Sequence, residues 1–202
     1  MSVRAAVLVS GGGTNLQALI DASKAGTLKS AEIALVLSNK PGAYAVERAK
    51  SAGIEAVVCE RQRDEPRDDH ERHMLEILRA RGIDMLVLAG FLSILSPAFV
   101  HAFPDRIVNV HPSLIPSFCG KGFYGLKVHE AALACGVKVT GATVHLVDEI
   151  PDGGRILLQK AVEVLPGDTP EVLQRRVMED AEWVLLPRAV EMVARQIQEE
   201  LR

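Results

Sequence analysis

Asn109 and His111 stand two residues apart in Arg106-Ile107-Val108-Asn109-Val110-His111-Pro112, an apolar stretch that reads as a strand stopped by proline. Alternate residues of an extended chain leave the same face, so an amide and an imidazole come to lie side by side at a strand end. That pairing suits acyl transfer, in which an amide N–H holds a developing oxyanion and an imidazole delivers a proton. With a reference pKa of about 6.5, only about a tenth of a neutral-environment histidine is protonated near pH 7.5. A carboxylate within hydrogen-bond reach raises that share. Asp148-Glu149-Ile150-Pro151-Asp152-Gly153-Gly154 supplies the candidates. Asp152 is preferred because the two glycines after it let the backbone turn sharply toward a ligand, while Asp148 and Glu149 are rivals that spacing does not separate. Each residue also has an ordinary reading, as a strand-end histidine bonded to a loop or an aspartate in an Asp-Gly turn.

A second site candidate is Ser10-Gly11-Gly12-Gly13-Thr14-Asn15, between an apolar strand and a helix. A glycine-rich turn here aims backbone N–H groups and the positive helix end at an anion. The pattern does not fit a dinucleotide site: Leu16 stands three residues beyond Gly13, and Ser38-Asn39-Lys40 ends the second strand where a ribose-binding acid belongs. A Walker lysine is missing too. A single phosphate monoester fits better, with Thr14 and Asn15 as side-chain donors; a tight turn capped by one of them is the plainer alternative.

The elements that must position these groups alternate in type. Strand-like runs at 5–9, 33–37, 55–58, 85–89 and 106–110 are separated by helical stretches near 14–24, 43–52 and 70–81. This rhythm, with continuously apolar strands, predicts an α/β, Rossmann-like fold: a mostly parallel open sheet with helices on both faces. Two further strands, 139–147 and 156–164, are close enough to pair as an antiparallel C-terminal extension. A long helix from Pro170 to about Leu201 is expected to break near Pro187. Between the fourth and fifth strands, Gly90-Phe91-Leu92-Ser93-Ile94-Leu95-Ser96-Pro97 falls at the carboxyl edge where open α/β sheets bind ligands. Ser96 and Pro97 read as helix cap and first turn. Leu92, Ile94 and Leu95 suit the wall of a pocket for a flat ring, though pattern alone favours ordinary core under a loop. His70 and His73 read as solvated, His145 as a satisfied strand histidine, and Arg61, Arg63, Arg67 and Arg72 mainly as surface charge.

With 202 residues, 48% hydrophobic content and a net charge of −3, the chain can build a sizeable core and lacks a basic nucleic-acid footprint. Cys59, Cys119 and Cys135 form no CxxC pair, which suits a reducing compartment without a disulfide frame or zinc site. No stretch approaches the ~20 apolar residues of a membrane span. The expectation is a single cytoplasmic domain over 1–202, monomer or homodimer, with small-molecule rather than nucleic-acid or membrane partners.

Taken in order, Ser10–Asn15, Leu88-Ala-Gly-Phe-Leu92 with Ile94-Leu-Ser-Pro-Ala98, Asn109-Val-His-Pro-Ser-Leu-Ile-Pro116 and Asp152-Gly-Gly154 resemble the phosphoribosylglycinamide formyltransferases over nearly the whole chain. The resemblance implies transfer of the formyl group of 10-formyltetrahydrofolate, a co-substrate, to the amine of a glycinamide ribonucleotide in purine synthesis, without a metal. It implies a phosphate-binding half at about 1–100 and a catalytic and folate half at about 101–202. Gly13, Thr14 and Asn15 become binders of the substrate phosphate; Asn109, His111 and Asp152 become the catalytic trio. Arg67, Leu92, Ser93, Ile94, Leu95 and Asn109 fall to the folate. Glu182 matches an acid that contacts the ribonucleotide, after a one-residue adjustment. Ser93 stands where many relatives carry Arg, and the loop from Cys119 to Lys127 is longer than in many of them. Methionyl-tRNA formyltransferases, which add a basic extension, and formyltetrahydrofolate hydrolases, which place a regulatory domain ahead of the catalytic one, share the Asn-x-His-Pro-Ser chemistry. A non-catalytic nucleotide-binding module is the rival of another class.

Overall fold

The computed structural model describes residues 2–201. Seven strands form one sheet: β1 (Val3–Val9), β2 (Ala31–Ser38), β3 (Ala56–Val58), β4 (Met85–Leu88), β5 (Ile107–His111), β6 (Val139–Leu146) and β7 (Ile156–Glu163). Their spatial order is β3-β2-β1-β4-β5-β6-β7. The first five are parallel, β6 runs antiparallel to β5, and β7 antiparallel to β6. The predicted mostly parallel sheet with an antiparallel extension is what forms. Strands from both halves of the chain join it.

Period-two alternation sorts the strand side chains between two cores. Val3, Ala5, Val7 and Val9 of β1 pack with α1 (Thr14–Lys24), α2 (Tyr44–Ser51) and α7 (Trp183–Glu200). Ala6 and Leu8 face the other way, onto α3 (Arg67–Ala80) and α4 (Pro97–His101). Burying a Leu, Val or Phe side chain contributes about 1.5–3 kcal/mol, so both faces have to be covered. The remaining helices, α5 (Leu126–Cys135) and α6 (Pro170–Val177), follow β5 and β7 in sequence.

Helix 170–200 departs from expectation in an informative way. It runs through Pro187 and is disturbed earlier, where Met178–Glu182 widens into a π turn between α6 and α7. A π turn holds one residue more than the α-helical repeat and is how a helix absorbs a single insertion. The missing N–H of Pro187 then falls opposite Trp183, the first residue past the wide turn. His70 is the other correction: it is buried against Cys59, with Sγ 4.0 Å from Nδ1, rather than solvated.

Gly141 lies inside β6, paired with Ala161 of β7. A Cβ there would stand 2.0 Å from the Lys160 carbonyl oxygen. The Gly141→Ala variant is expected to lose about 2 kcal/mol, a typical overpacking cost, and to melt roughly 4–8 °C lower. Thermal denaturation with a coincident loss of helical and tertiary signals is the check; an unchanged midpoint contradicts the close strand approach.

Candidate active site

Parallel strands bring all their carboxyl ends to one edge, and the order reverses between β1 and β4, where ligands of open α/β sheets bind. Three segments meet there. The loop after β1 and the segment after β4 are tied directly: Ser10 N–H donates to the Gly90 carbonyl at 3.2 Å, and Leu92 N–H donates to Ser10 Oγ at 2.9 Å. One strand further on, β5 ends in His111.

Asn109 and His111 leave the same face of β5, as the alternation predicted. His111 is only 4% exposed. Its Nε2–H donates to the Phe118 carbonyl at 2.9 Å, and its Nδ1 lies 3.6 Å from Asp152 Oδ2. Both ring nitrogens therefore face acceptors, an arrangement that the doubly protonated ring satisfies on both sides. Of the three acids offered by sequence, geometry brings Asp152. Asp148 instead accepts from the Ile150 N–H, and Glu149 pairs with His101 at 2.7 Å.

Asp152 owes its aim to its turn. It adopts φ 58°, a left-handed conformation in which Asp is enriched among non-glycine residues. Gly154 follows because a Cβ there would lie 1.9 Å from the Leu146 carbonyl, so only glycine lets the turn close onto the end of β6. The carboxylate also accepts the Gly120 N–H at 2.8 Å, which fixes the loop after Phe118. Burial pushes the Asp152 carboxyl up, but the His145 ring, the His111 charge and the Gly120 N–H outweigh it and hold it below the usual carboxylate range.

His145 is the residue that sequence reasoning passed over. It is paired across β5 and β6 with Asn109, and its buried ring is satisfied as expected, through Nδ1–H to the Leu146 carbonyl at 2.8 Å. Its Nε2 faces the Asn109 amide nitrogen at 3.0 Å. Asp152 Oδ1 lies 3.6 Å from the same ring nitrogen. The ring thus orients the Asn109 amide while keeping its second N–H available. Only the antiparallel register, which places residue 145 opposite residue 109, carries this signal.

At the glycine loop, the helix cap is Gly13 in the left-handed conformation, with no side-chain cap; the capping alternative for Thr14 and Asn15 is not what forms. A Cβ on Gly13 would lie 2.6 Å from that of Ala45, so the close approach of α2 also demands glycine. The carbonyls of Gly11, Gly12 and Gly13 are occupied by Ala45 N–H, Arg48 Nε–H and Gln17 N–H respectively. Asn15 Nδ2 donates to Glu182 Oε2 at 2.6 Å, so the two residues assigned to one substrate do meet, 167 positions apart in the chain. The Asn15 Oδ1 is buried without a protein partner. Glu182 ends the π turn. Burial, only partly countered by the Asn15 bond, pushes its carboxyl up to about 7.

Arg67, the first residue of α3, reaches the segment after β4: Nη2 donates to the Ile94 carbonyl at 2.8 Å and Nε to Glu71 at 3.0 Å. Glu71, buried, also accepts the Ser96 N–H and hydroxyl. Leu95 is buried while Leu92 and Ile94 stay exposed at 59% and 54%, so this segment is a wall open to solvent rather than core. Arg67 and residues 92–95 lie apart from Asn15 and Glu182: the former group sits on the α3 face, the latter against α1 and α7.

The formyl transferase family model matches residues 3–190, and the chain belongs to that family. Within it, the chain is 42% identical over 176 residues to the chloroplastic phosphoribosylglycinamide formyltransferase of Arabidopsis thaliana, covering 87% of this chain and 60% of that protein. It is 43% identical over 191 residues to the human trifunctional purine biosynthetic protein adenosine-3, covering 95% of this chain and 18% of that protein. Among solved structures, glycinamide ribonucleotide transformylase 1 of Symbiobacterium toebii is similar at a TM-score of 0.90 and 40% identity, with 96% of this chain and 89% of that one covered. Among the described residues no helix is long and apolar enough to cross a membrane.

Glu182 gives this site a pH signature. A carboxyl raised from 4.5 to about 7 in the folded state keeps a proton that the unfolded chain releases. The folded form binds more protons between those values, so this group's contribution to stability falls as pH rises from 4.5 to 7 and then levels. Glu182→Gln keeps an acceptor for Asn15 and removes the charge. Its melting temperature relative to the parent is expected to be higher at pH 8 than at pH 5, measured by thermal denaturation in matched buffers. An equal difference at both pH values contradicts a buried, displaced carboxyl.

Proposed function

We propose that this chain transfers the formyl group of 10-formyltetrahydrofolate to the amine of 5-phosphoribosylglycinamide, giving formylglycinamide ribonucleotide and tetrahydrofolate. The observation that carries this reading is Asp152, set between His111 and His145 beside the Asn109 amide at the sheet's carboxyl edge. The names of the relatives and structural neighbours support it. A cytoplasmic setting belongs to the same proposal and rests on the charge balance and the free, buried Cys59.

The ribonucleotide phosphate docks on the loop of Gly13, Thr14 and Asn15, where backbone N–H groups and the α1 end favour an anion. Glu182 and the open Oδ1 of Asn15 take the ribose side. The folate lies along Leu92, Ser93, Ile94 and Leu95, with Arg67 holding that wall in shape. The uncharged glycinamide amine then attacks the formyl carbon, forming a C–N bond while the carbonyl π electrons move to oxygen. The free N–H of Asn109 and the charge of His111 stabilise that oxyanion, and Asp152 keeps the imidazolium form. Collapse of the adduct breaks its bond to folate N10, which takes up the proton lost by the amine. His145 is a positioning residue for the amide. In the structure the Nε2–H of His111 is spent on Phe118, whose backbone sits at φ 50°; proton delivery from that nitrogen requires the segment to release the bond.

Purified protein mixed with both substrates is expected to release tetrahydrofolate in an amine-dependent manner, followed by absorbance. Formate release without the amine would favour a hydrolase, and phosphate-ligand binding without turnover a binding module. Asn109→Ala and His111→Ala are each expected to lower kcat by about 10²–10³, the usual cost of one oxyanion donor. A variant that keeps most of its turnover removes that residue from the mechanism. Gly13→Ala, in contrast, is expected to raise KM for the ribonucleotide while leaving KM for the folate near its parent value.

A further inference from the structure

Among the described residues, the backbone N–H groups of Gly12, Gly13 and Thr14 have no protein acceptor. Their direction follows from the carbonyls before them, because a trans peptide is planar and its N–H points opposite to its C=O. Gly11 O accepts the Ala45 N–H at 3.1 Å, Gly12 O the Arg48 Nε–H at 2.8 Å, and Gly13 O the Gln17 N–H at 2.9 Å. The three N–H groups are thereby turned away from these partners, as a run of free donors of the kind that binds anions. Asn15, which follows, is 8% exposed, and its Oδ1 also lacks a protein partner. Buried polar atoms left unpaired point to a ligand or water at that spot.

Two of the three groups that hold these carbonyls belong to the backbone. The third is the side chain of Arg48, which reaches the loop from α2. Its guanidinium is fixed from three sides: Nε–H on Gly12, Nη1–H on Gln17 Oε1 at 3.0 Å, and the Tyr44 ring centred 5.0 Å from Cζ. Among the described residues no carboxylate lies within ion-pair distance of it. Asp21 is engaged by Gln17 instead, through Nε2–H to Oδ1 at 2.9 Å, so the amide links the two charges without pairing them. Without Arg48 the peptide between two glycines is free to rotate. With it, the peptide is fixed, and a cation on the Gly12 carbonyl strengthens the Gly13 N–H of the same peptide as a donor.

We propose that Arg48 is a positioning and specificity-determining residue: it holds the Gly12–Gly13 peptide with its N–H outward and keeps its own charge unpaired, so that the loop selects a phosphate monoester over an uncharged hydroxyl. The inference rests on the phosphate reading of the loop given above. A phosphate monoester carries about −1.5 to −2 charges near pH 7 and three acceptor oxygens. Three free N–H groups with a cation behind the central peptide match that ligand.

The test compares glycinamide ribonucleotide with glycinamide riboside, which offers the same amine but a 5′-hydroxyl in place of the phosphate. The parent protein is expected to favour the ribonucleotide in kcat/KM. In Arg48→Met, which keeps an unbranched stem and removes the guanidinium, that preference is expected to fall about tenfold to hundredfold, the usual weight of a hydrogen bond to a charged group. The preference is the readout because loss of folded enzyme lowers both values together. Arg48→Lys returns a charged donor and is expected to recover most of the preference, more so at low salt. Inhibition by inorganic phosphate, competitive with the ribonucleotide, weakens in the same order and serves where the riboside reacts too slowly to measure. An unchanged preference in Arg48→Met, or a lysine variant no better than it, overturns the assignment and leaves formyl transfer standing. A parent that uses both substrates equally overturns the phosphate reading of the loop, and turnover of neither overturns the proposed function; this inference falls with each.

Discussion

A carboxylate that stays ionised within a protein interior must be met by N–H groups or positive charge, and Asp152 is where this chain meets that demand. Its partners come from three places: His111 at the end of β5, His145 in β6, and the Gly120 N–H in the following loop. Removing the anion would leave His111 Nδ1 without its acceptor and Gly120 without its anchor, while an unpaired charge would be too costly to keep buried. The left-handed turn at 152, the glycine at 154 and the antiparallel register of β5 with β6 together bring that charge to this point.

The sheet then separates the two ends of the site. Residues of alternate parity send α1, α2 and α7 to one face and α3 and α4 to the other, while all five parallel strands deliver their loops to a common edge. The glycine loop and Glu182 belong to the first face; Arg67, Glu71 and the wall at 92–95 belong to the second. Such a division suits a bimolecular transfer, in which reactants held from opposite sides bring only their reacting atoms together. The Ser10 bonds to Gly90 and Leu92 couple the two holders, so displacement of one wall is felt at the other.

Much of this was readable from the chain because it depends on local periodicity. Apolar runs marked every parallel strand, the change of pattern after His111 marked the antiparallel extension, and the spacing of Asn109 and His111 put them on one face. Ser96 caps α4 as its place before Pro97 suggested, accepting the Phe99 N–H. What escaped depends on pairing between distant segments. His145 looked like an ordinary strand histidine because its register against Asn109 is set by tertiary packing. Asp148, Glu149 and Asp152 are separated by where each side chain points, which composition does not encode. Helix 170–200 was expected to yield at its proline, yet the π turn lies before it and ends at Glu182, which accepts from Asn15.

The two buried carboxylates of the site show how surroundings divide one functional group into opposite roles. Asp152 has an imidazole on each side and a backbone N–H, and these hold it ionised despite burial. Glu182 has a single amide for a partner, and burial carries its carboxyl up to about 7. The first is a fixed anion beside His111; the second can hold or release a proton near neutral pH and so can face hydroxyl groups as donor or acceptor. A charged Glu182 would also repel any anion docked at the neighbouring glycine loop. Protonation removes that repulsion, and the Asn15 bond keeps the side chain in place in either state. The π turn thus keeps this buried acid in register with Asn15.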